Sequence, residues 1–184
     1  MIAIMSDLLA HLEALPSRTI EMAAGELLFR RDDEISFLFV IEDGLVHLVR
    51  HQMDGTPTVM QRAGPREIVA EASLFGRHYH CDAVATRATI LRRMPVEDVR
   101  RAMRDDPAFS NACAQYLAHE VQRTRIRCEI LGMRTVSARL DAWLTLKPLP
   151  PKGDWGALAD DIGVTREALY RELARRRGQS GCAA

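Results

Sequence analysis

Hydrophobic and polar positions follow several distinct rhythms along the chain. Between residues 5 and 15, Leu8, Leu9, Leu12 and Leu15 recur at helical spacing and predict a short amphipathic helix. From about residue 20 to 95 the rhythm shortens. The runs GELLF, FLFVI, LVHLV, TVMQR, EIVAE and AVATRATILRRM are separated by RDDE, EDG, MDGTP and RAGP. Strands of about four to six residues at such close spacing predict an all-β sandwich or barrel. MDGT marks a hairpin within it, because Asp-Gly readily takes the positive φ of tight primed turns.

A helical rhythm returns at PVEDVRRAMRDDP, with Pro95 at its start and Val96, Val99 and Met103 on one face. From Ala108 to about Leu131 nothing breaks a single long helix. Phe109, Cys113, Leu117, Val121 and Cys128 fall near a 3.5–4 residue period, with Thr124 on the same seam. A small barrel cannot cover so long a seam, so a parallel homodimer is expected. The alternative is a seam that lies on the protein's own surface. Met133 to Leu146 reads as another helix, with Val136, Leu140, Trp143 and Leu144 apolar, and the proline-rich KPLPPKG stops it.

The segment DWGALADDIGVTREALYRELARRRG is compact. Asp154 is placed to cap a helix carrying Ala157, Leu158 and Ile162 inward, Gly163 supplies a sharp turn, and Thr165 caps a second helix with Leu169 and Leu173 inward. Ala159, Gly163 and Leu169 stand at helix-turn-helix spacing. Arg166, Glu167 and Arg171 lie on the outward side near the start of the second helix, the part that reaches base edges in a major groove. Arginine can pair bidentately with guanine and glutamate can accept from cytosine N4. A plain Glu167–Arg171 helix pair is the structural alternative.

Charge and composition narrow the class. Lysine plus arginine balance aspartate plus glutamate at 25 each, so any polyanion site must come from local clustering. Arg123, Arg125, Arg127, Arg134 and Arg139 form one such cluster, and five arginines within residues 165–177 form another, each of which reads by default as a solvated helix face. No apolar run is long enough to span a bilayer, and the first residues lack the features of a signal peptide, so a cytoplasmic protein with no membrane partner is expected. Cys81, Cys113, Cys128 and Cys182 have no CxxC spacing and are expected to be free thiols. The sequence holds no nucleophile–base set, no Gly-rich phosphate loop and no paired metal motif, so an enzyme is not expected.

Four stretches carry a resemblance to the Crp/Fnr transcription regulators. TREALYR resembles that family's recognition-helix core, FLFVIEDGLV its strand pair around a glycine (Gly44), AAGELLF its opening strand, and RTVSARL its hinge. The resemblance spans about residues 18–177. It implies an α+β chain: an N-terminal β-roll (a double-stranded β-helix or jelly roll), a long dimerisation helix and a C-terminal winged helix-turn-helix. The domains it implies are a sensor at 1–107, a dimerisation helix at 108–132 and a DNA head at 133–184. The implied partners are a second copy, a palindromic double-stranded DNA site and RNA polymerase, with Thr165, Arg166, Glu167, Tyr170 and Arg171 at the DNA.

On the same resemblance, AEASLFGRHYHCDA at 70–83 occupies the cassette that holds cyclic AMP in some members. Glu71 matches the ribose-binding glutamate and SLF, with Ser73, the short helix. Cys81 stands at the arginine position and Asp82 at the serine position. Thr124 falls where a purine-contacting threonine lies, with Arg125 beside it in place of serine. A thiol and a carboxylate repel an anion that needs a guanidinium, so weak or no cyclic nucleotide binding is expected. The effector is left unidentified. His78, His80, Cys81 and Asp82 are candidate haem or metal ligands, although adjacent extended residues face opposite ways. Cys81 is a candidate redox thiol, with His80 lowering and Asp82 raising its pKa. A degenerate cassette is the plainest reading.

The family's wing has no room in GQSGCAA after Arg177, and Glu172 takes a position normally small or apolar. A shortened DNA head with weaker grip is therefore expected, with Arg175, Arg176 and Arg177 supplying part of the phosphate contact. The rival reading is a ligand-sensing or protein-interaction module of the same fold.

Overall fold

Two four-stranded antiparallel sheets account for the short apolar runs in the computed structural model, which describes residues 2–180 and the side chains of residues 7–178. Cys182, expected to be a free thiol, lies outside the described residues. The chain divides into two units, Met1–Ala118 and His119–Ala184. The first carries helix α1 (Ile2–Glu13) and strands β1 (Arg18–Met22), β2 (Leu27–Phe29), β3 (Phe37–Asp43), β4 (Val46–His51), β5 (Pro57–Ala63), β6 (Ile68–Val69), β7 (Asp82–Ala85) and β8 (Thr89–Pro95). The strand orders are β1-β8-β3-β6 and β2-β7-β4-β5. Helices α2 (Val96–Asp105) and α3 (Pro107–Gly132) follow, and α3 runs on into the second unit. The fold is thus α+β, a β-roll followed by helices.

Strand β3 explains how the roll and its helices share one core. Leu38, Phe39, Val40 and Ile41 are all buried, although a sheet with one wet face would bury only alternate residues. Phe39 stacks on Phe29 of the opposite sheet at 5.8 Å, whereas Leu38 lines a small cavity with Leu8, Leu12 and Tyr116 from α1 and α3. Both faces of β3 are therefore covered.

Several sequence expectations need correction. RTIEM forms β1, an edge strand too polar at Arg18, Thr19 and Glu21 to register as an apolar run. AVATRATILRRM is two strands, β7 and β8, parted at Thr86–Ala88. The β4–β5 hairpin exists, but its turn is longer than a two-residue primed one, since residues 52–56 separate the strands. The Gln52 N–H donates to the Thr56 carbonyl and the Gly55 N–H to the Gln52 carbonyl, both at 2.9 Å, and within the turn Gly55 takes a positive φ of 83°. Pro95 stands at the start of α2 as expected, as its N-cap, and is also the last residue of β8.

The seam on α3 has two fates. Phe109, Ala112, Cys113 and Tyr116 are buried in the first unit's own core, so the alternative weighed for the seam holds for this half. Val121, Thr124 and Cys128, in the second unit, are exposed. The second unit continues with α4 (Val136–Leu144), a 3-10 turn at Lys152–Asp154, α5 (Trp155–Asp161) and α6 (Arg166–Ser180). Helix α4 is shorter at both ends than the expected Met133–Leu146, because Thr135 caps it by accepting from the Ala138 N–H at 3.1 Å. Among the described residues no helix is long and apolar enough to cross a membrane.

Candidate nucleic-acid interface and effector pocket

Helices α5 and α6 pack through Leu158, Ala159, Ile162 and Leu169, each at most 2% exposed. Between them the chain turns at Gly163, with φ of 64°, and the Val164 N–H closes on the Ala159 carbonyl at 2.9 Å. Any side chain at 163 would be strained by that φ and would also collide with Leu131 and the Arg139 guanidinium. The expected small residue, glycine and apolar residue thus occupy their assigned places. Ala157 does not: it is exposed, and Trp155 and Ala159 take the inward side of α5. Asp154 stands at the N-cap of α5 with φ −97° and ψ 5° and makes no side-chain cap bond, because the preceding 3-10 turn leaves it out of the extended capping conformation.

Thr165 caps α6, its Oγ1 accepting from the Ala168 N–H at 3.2 Å. Glu167 is held below the usual carboxylate range by its own backbone N–H and the Thr165 hydroxyl, with smaller help from Arg166 and Arg171. No Glu167–Arg171 ion pair within 4 Å forms among the described residues, so the structural alternative for this pair is not realised. Arg166, Glu167 and Arg171 are exposed on the first turns of α6. The Arg166 guanidinium lies across Gly156 of α5, in space that a Cβ at 156 would enter. Tyr170 is 39% exposed and packs edge-on against Trp155, at 5.1 Å between ring centroids.

The arginines expected to replace wing contacts are engaged within the unit. Arg175 grips the Glu172 carboxylate at 2.6 and 2.9 Å, and Arg176 reaches the same group at 2.7 Å. Arg176 also donates to the Ser137 carbonyl and hydroxyl and pairs with Asp141 at 2.7 Å, fastening α6 to α4. Arg177 stands 5.6 Å over the Trp155 ring. Glu172 is thereby driven down to a pKa of about 2, first by Arg175 and then by Arg176. The side chain that looked out of place is the centre of a polar clamp. Arg139, read in the sequence as part of a basic cluster, points its guanidinium at main-chain carbonyls.

In the first unit, Glu71 and Ser73 share a 3-10 turn that opens from Ala70, a non-glycine residue at φ 62°. The Glu71 carboxylate accepts from the Gln61 amide at 3.1 Å. Arg100, which no sequence signal singled out, clamps this turn by donating to the Leu74 and Gly76 carbonyls at 2.7 and 3.0 Å while pairing with Glu97. Beyond it, Tyr79 is buried, stacks on Phe29 at 3.7 Å and donates to the Phe37 carbonyl, whereas His78 and His80 on either side are exposed. The alternation of an extended segment decides which residue goes inward.

Asp82 accepts from the Arg31 N–H at 2.8 Å and pairs with His51 at 3.4 Å. The Cys81 thiol is pushed up, first by burial and also by Asp82, with Arg50 and Arg31 opposing. Cys113 is pushed up by burial to about 11. Among the described residues no three His, Cys, Asp or Glu side chains gather as a metal site. Thr124 and Arg125 are exposed on the part of α3 that belongs to the second unit. The apolar cavity between α1, the roll and α3, of about 20 Å³, has room for roughly one water and none for a nucleotide.

Residues 19–106 match the cyclic nucleotide-binding domain family. The chain is similar to the global nitrogen regulator of Synechococcus elongatus, with 25% identity across 86% of this chain and 78% of the relative. Its fold resembles that of FixK2 from Bradyrhizobium japonicum, with a TM-score of 0.75 and 18% identity over 90% of this chain and 87% of that one. The c-di-GMP responsive regulator CLP of Xanthomonas campestris is also similar, with a TM-score of 0.65 and 19% identity over 98% and 93% of the two chains.

Proposed function

We propose that this chain works as a homodimeric, DNA-binding transcription regulator of the Crp/Fnr type in the cytoplasm, because residues 19–106 match the cyclic nucleotide-binding domain family and the fold resembles that of FixK2. The observation that carries the reading is the α5–turn–α6 unit, which leaves Arg166, Glu167 and Arg171 exposed at the start of α6 while Leu169 and Leu173 are buried. In this reading Arg166 and Arg171 pair with guanine and Glu167 accepts from cytosine. Thr165 and Tyr170 fix the helix end and flank the bases. Two copies joined along the exposed part of α3 read a palindromic site.

The roll in this reading is a sensor closed to cyclic nucleotides. Support comes from Glu71 being engaged by Gln61, and from Asp82 holding its carboxylate beside Cys81 through the Arg31 amide and His51. A phosphate brought to that edge meets the Asp82 carboxylate, and the position at which the resemblance expects the phosphate-binding arginine is Cys81.

The test is fluorescence anisotropy on a site selected from genomic fragments, at one stated salt concentration. Arg166→Ala should cost about 1–3 kcal/mol on the selected site and much less on a scrambled one. Equal losses on both sequences, or no selectable site at all, would instead favour a module that senses or docks without reading DNA.

A further inference from the structure

Arg139 uses four of its five N–H groups on four main-chain carbonyls. Nε donates to Met133 at 2.8 Å, Nη2 to Leu131 at 2.8 Å, and Nη1 to both Ile162 at 3.1 Å and Gly163 at 2.7 Å. Leu131 lies at the carboxyl end of α3 and Met133 just beyond it, and Ile162 and Gly163 lie in the turn between α5 and α6. Carbonyls at the ends of helices lack an intrahelical donor, and one planar cation satisfies both sets at once. The Leu131 side chain lies against Gly163 from the same side, so close that a Cβ at 163 would overlap it.

Ile130, 4% exposed, also anchors the end of α3 in the second unit's apolar core. One apolar side chain sets no direction, however, and without the joint α3 would pivot about it and the short link Met133–Thr135. We infer that Arg139 and Leu131 are positioning residues that lock the α5–α6 unit at one angle to the end of α3, and so set the half-site spacing that a dimer of this chain accepts. The inference rests on the dimeric DNA-reading function proposed above. Its physical content is that a head free to swivel tolerates several spacings, whereas a locked head tolerates one. Inserting one base pair turns a half-site by about 35° relative to the other, well beyond what a locked pair of heads can follow.

The experiment uses the full chain and a set of duplexes with identical half-sites, whose spacer is lengthened or shortened by one and two base pairs. The wild type should lose about tenfold or more in affinity for a one-base-pair change. Arg139→Gln and Leu131→Ala should flatten this profile to within about threefold while keeping affinity for a single half-site duplex. Arg139→Lys, which can reach some but not all of the carbonyls, should fall between. Because Leu131 is 37% exposed, its truncation is the safer variant should the arginine variant fold poorly. Wild-type spacing profiles in the folded variants overturn the inference and leave the DNA-reading function standing. A wild type indifferent to spacing overturns both, because the dimeric reading of the site then fails first.

Discussion

Glu172 illustrates how much a residue's meaning depends on partners that lie far away in sequence. Arg175 and Arg176 follow it on the same helix, but Ser137 and Asp141 come from α4, and Arg176 joins them to it. The charge cluster was legible in the sequence; the direction of its guanidinium groups was not. Arg139 read there as part of a basic cluster, by default a solvated face, and Arg175 and Arg176 as partial phosphate contacts, yet each is occupied within the second unit. The pH behaviour follows from the sign of the shift. The Glu172 carboxyl sits at about 2 in the folded unit against an ordinary 4.5. Its stabilising contribution is complete above about 4.5 and disappears as the pH falls toward 2. In denaturant melts, the stability difference between wild type and Glu172→Gln should therefore be constant near neutrality and shrink across that acid window. A difference that holds unchanged down to pH 2 would mean that the carboxylate is not held by the clamp. The cassette makes a second residue-scale prediction. Calorimetry should detect no micromolar cyclic AMP or cyclic GMP binding to the wild type, whereas micromolar affinity would remove the closed-sensor reading.

Among the elements, the two helices of the reading head differ in how they begin, and the difference is measurable. Thr165 makes its cap bond to Ala168, while Asp154 has a capping residue's identity without its geometry. Thr165→Ala should cost the second unit on the order of 1 kcal/mol, and Asp154→Ala close to nothing, in urea melts of the full chain followed by tryptophan fluorescence. Both tryptophans, Trp143 and Trp155, are in that unit, so the signal reports on it directly. Equal costs would mean that Asp154 finds a capping partner in solution. Periodicity foretold the existence of these elements well, because apolar spacing is what burial acts on. It failed at β1, where Arg18, Thr19 and Glu21 are exposed, and at β6, where EIVAE supplies only two paired residues. It also placed Ala157 inward, since an alanine weighs little in a hydrophobic face and Trp155 claims that side of α5.

At the scale of the whole molecule, the central question is what covers the second half of α3. Its first half needs no partner, because Phe109, Cys113 and Tyr116 are already buried in the first unit. Beyond them Val121 is 49% exposed, and Thr124 and Cys128 stand in the open. Positions 121, 124 and 128 are spaced three and four apart, the rhythm of one side of a coiled-coil seam. In a parallel pair each of these residues meets its own copy, so one substitution acts twice at one level of the interface. Val121→Glu would bring two carboxylates face to face in a setting that cannot hydrate them fully, while in a single chain the same side chain stays in water and costs little. Native mass spectrometry at micromolar concentration should therefore find the wild type as a dimer and Val121→Glu as a folded monomer. The variant should also lose the gain in affinity that a two-half-site duplex gives over one half-site, because that gain arises only when two heads are linked. A variant that remains dimeric, with the gain intact, would mean that the rod is not where the copies meet, and the exposed seam would then need another occupant.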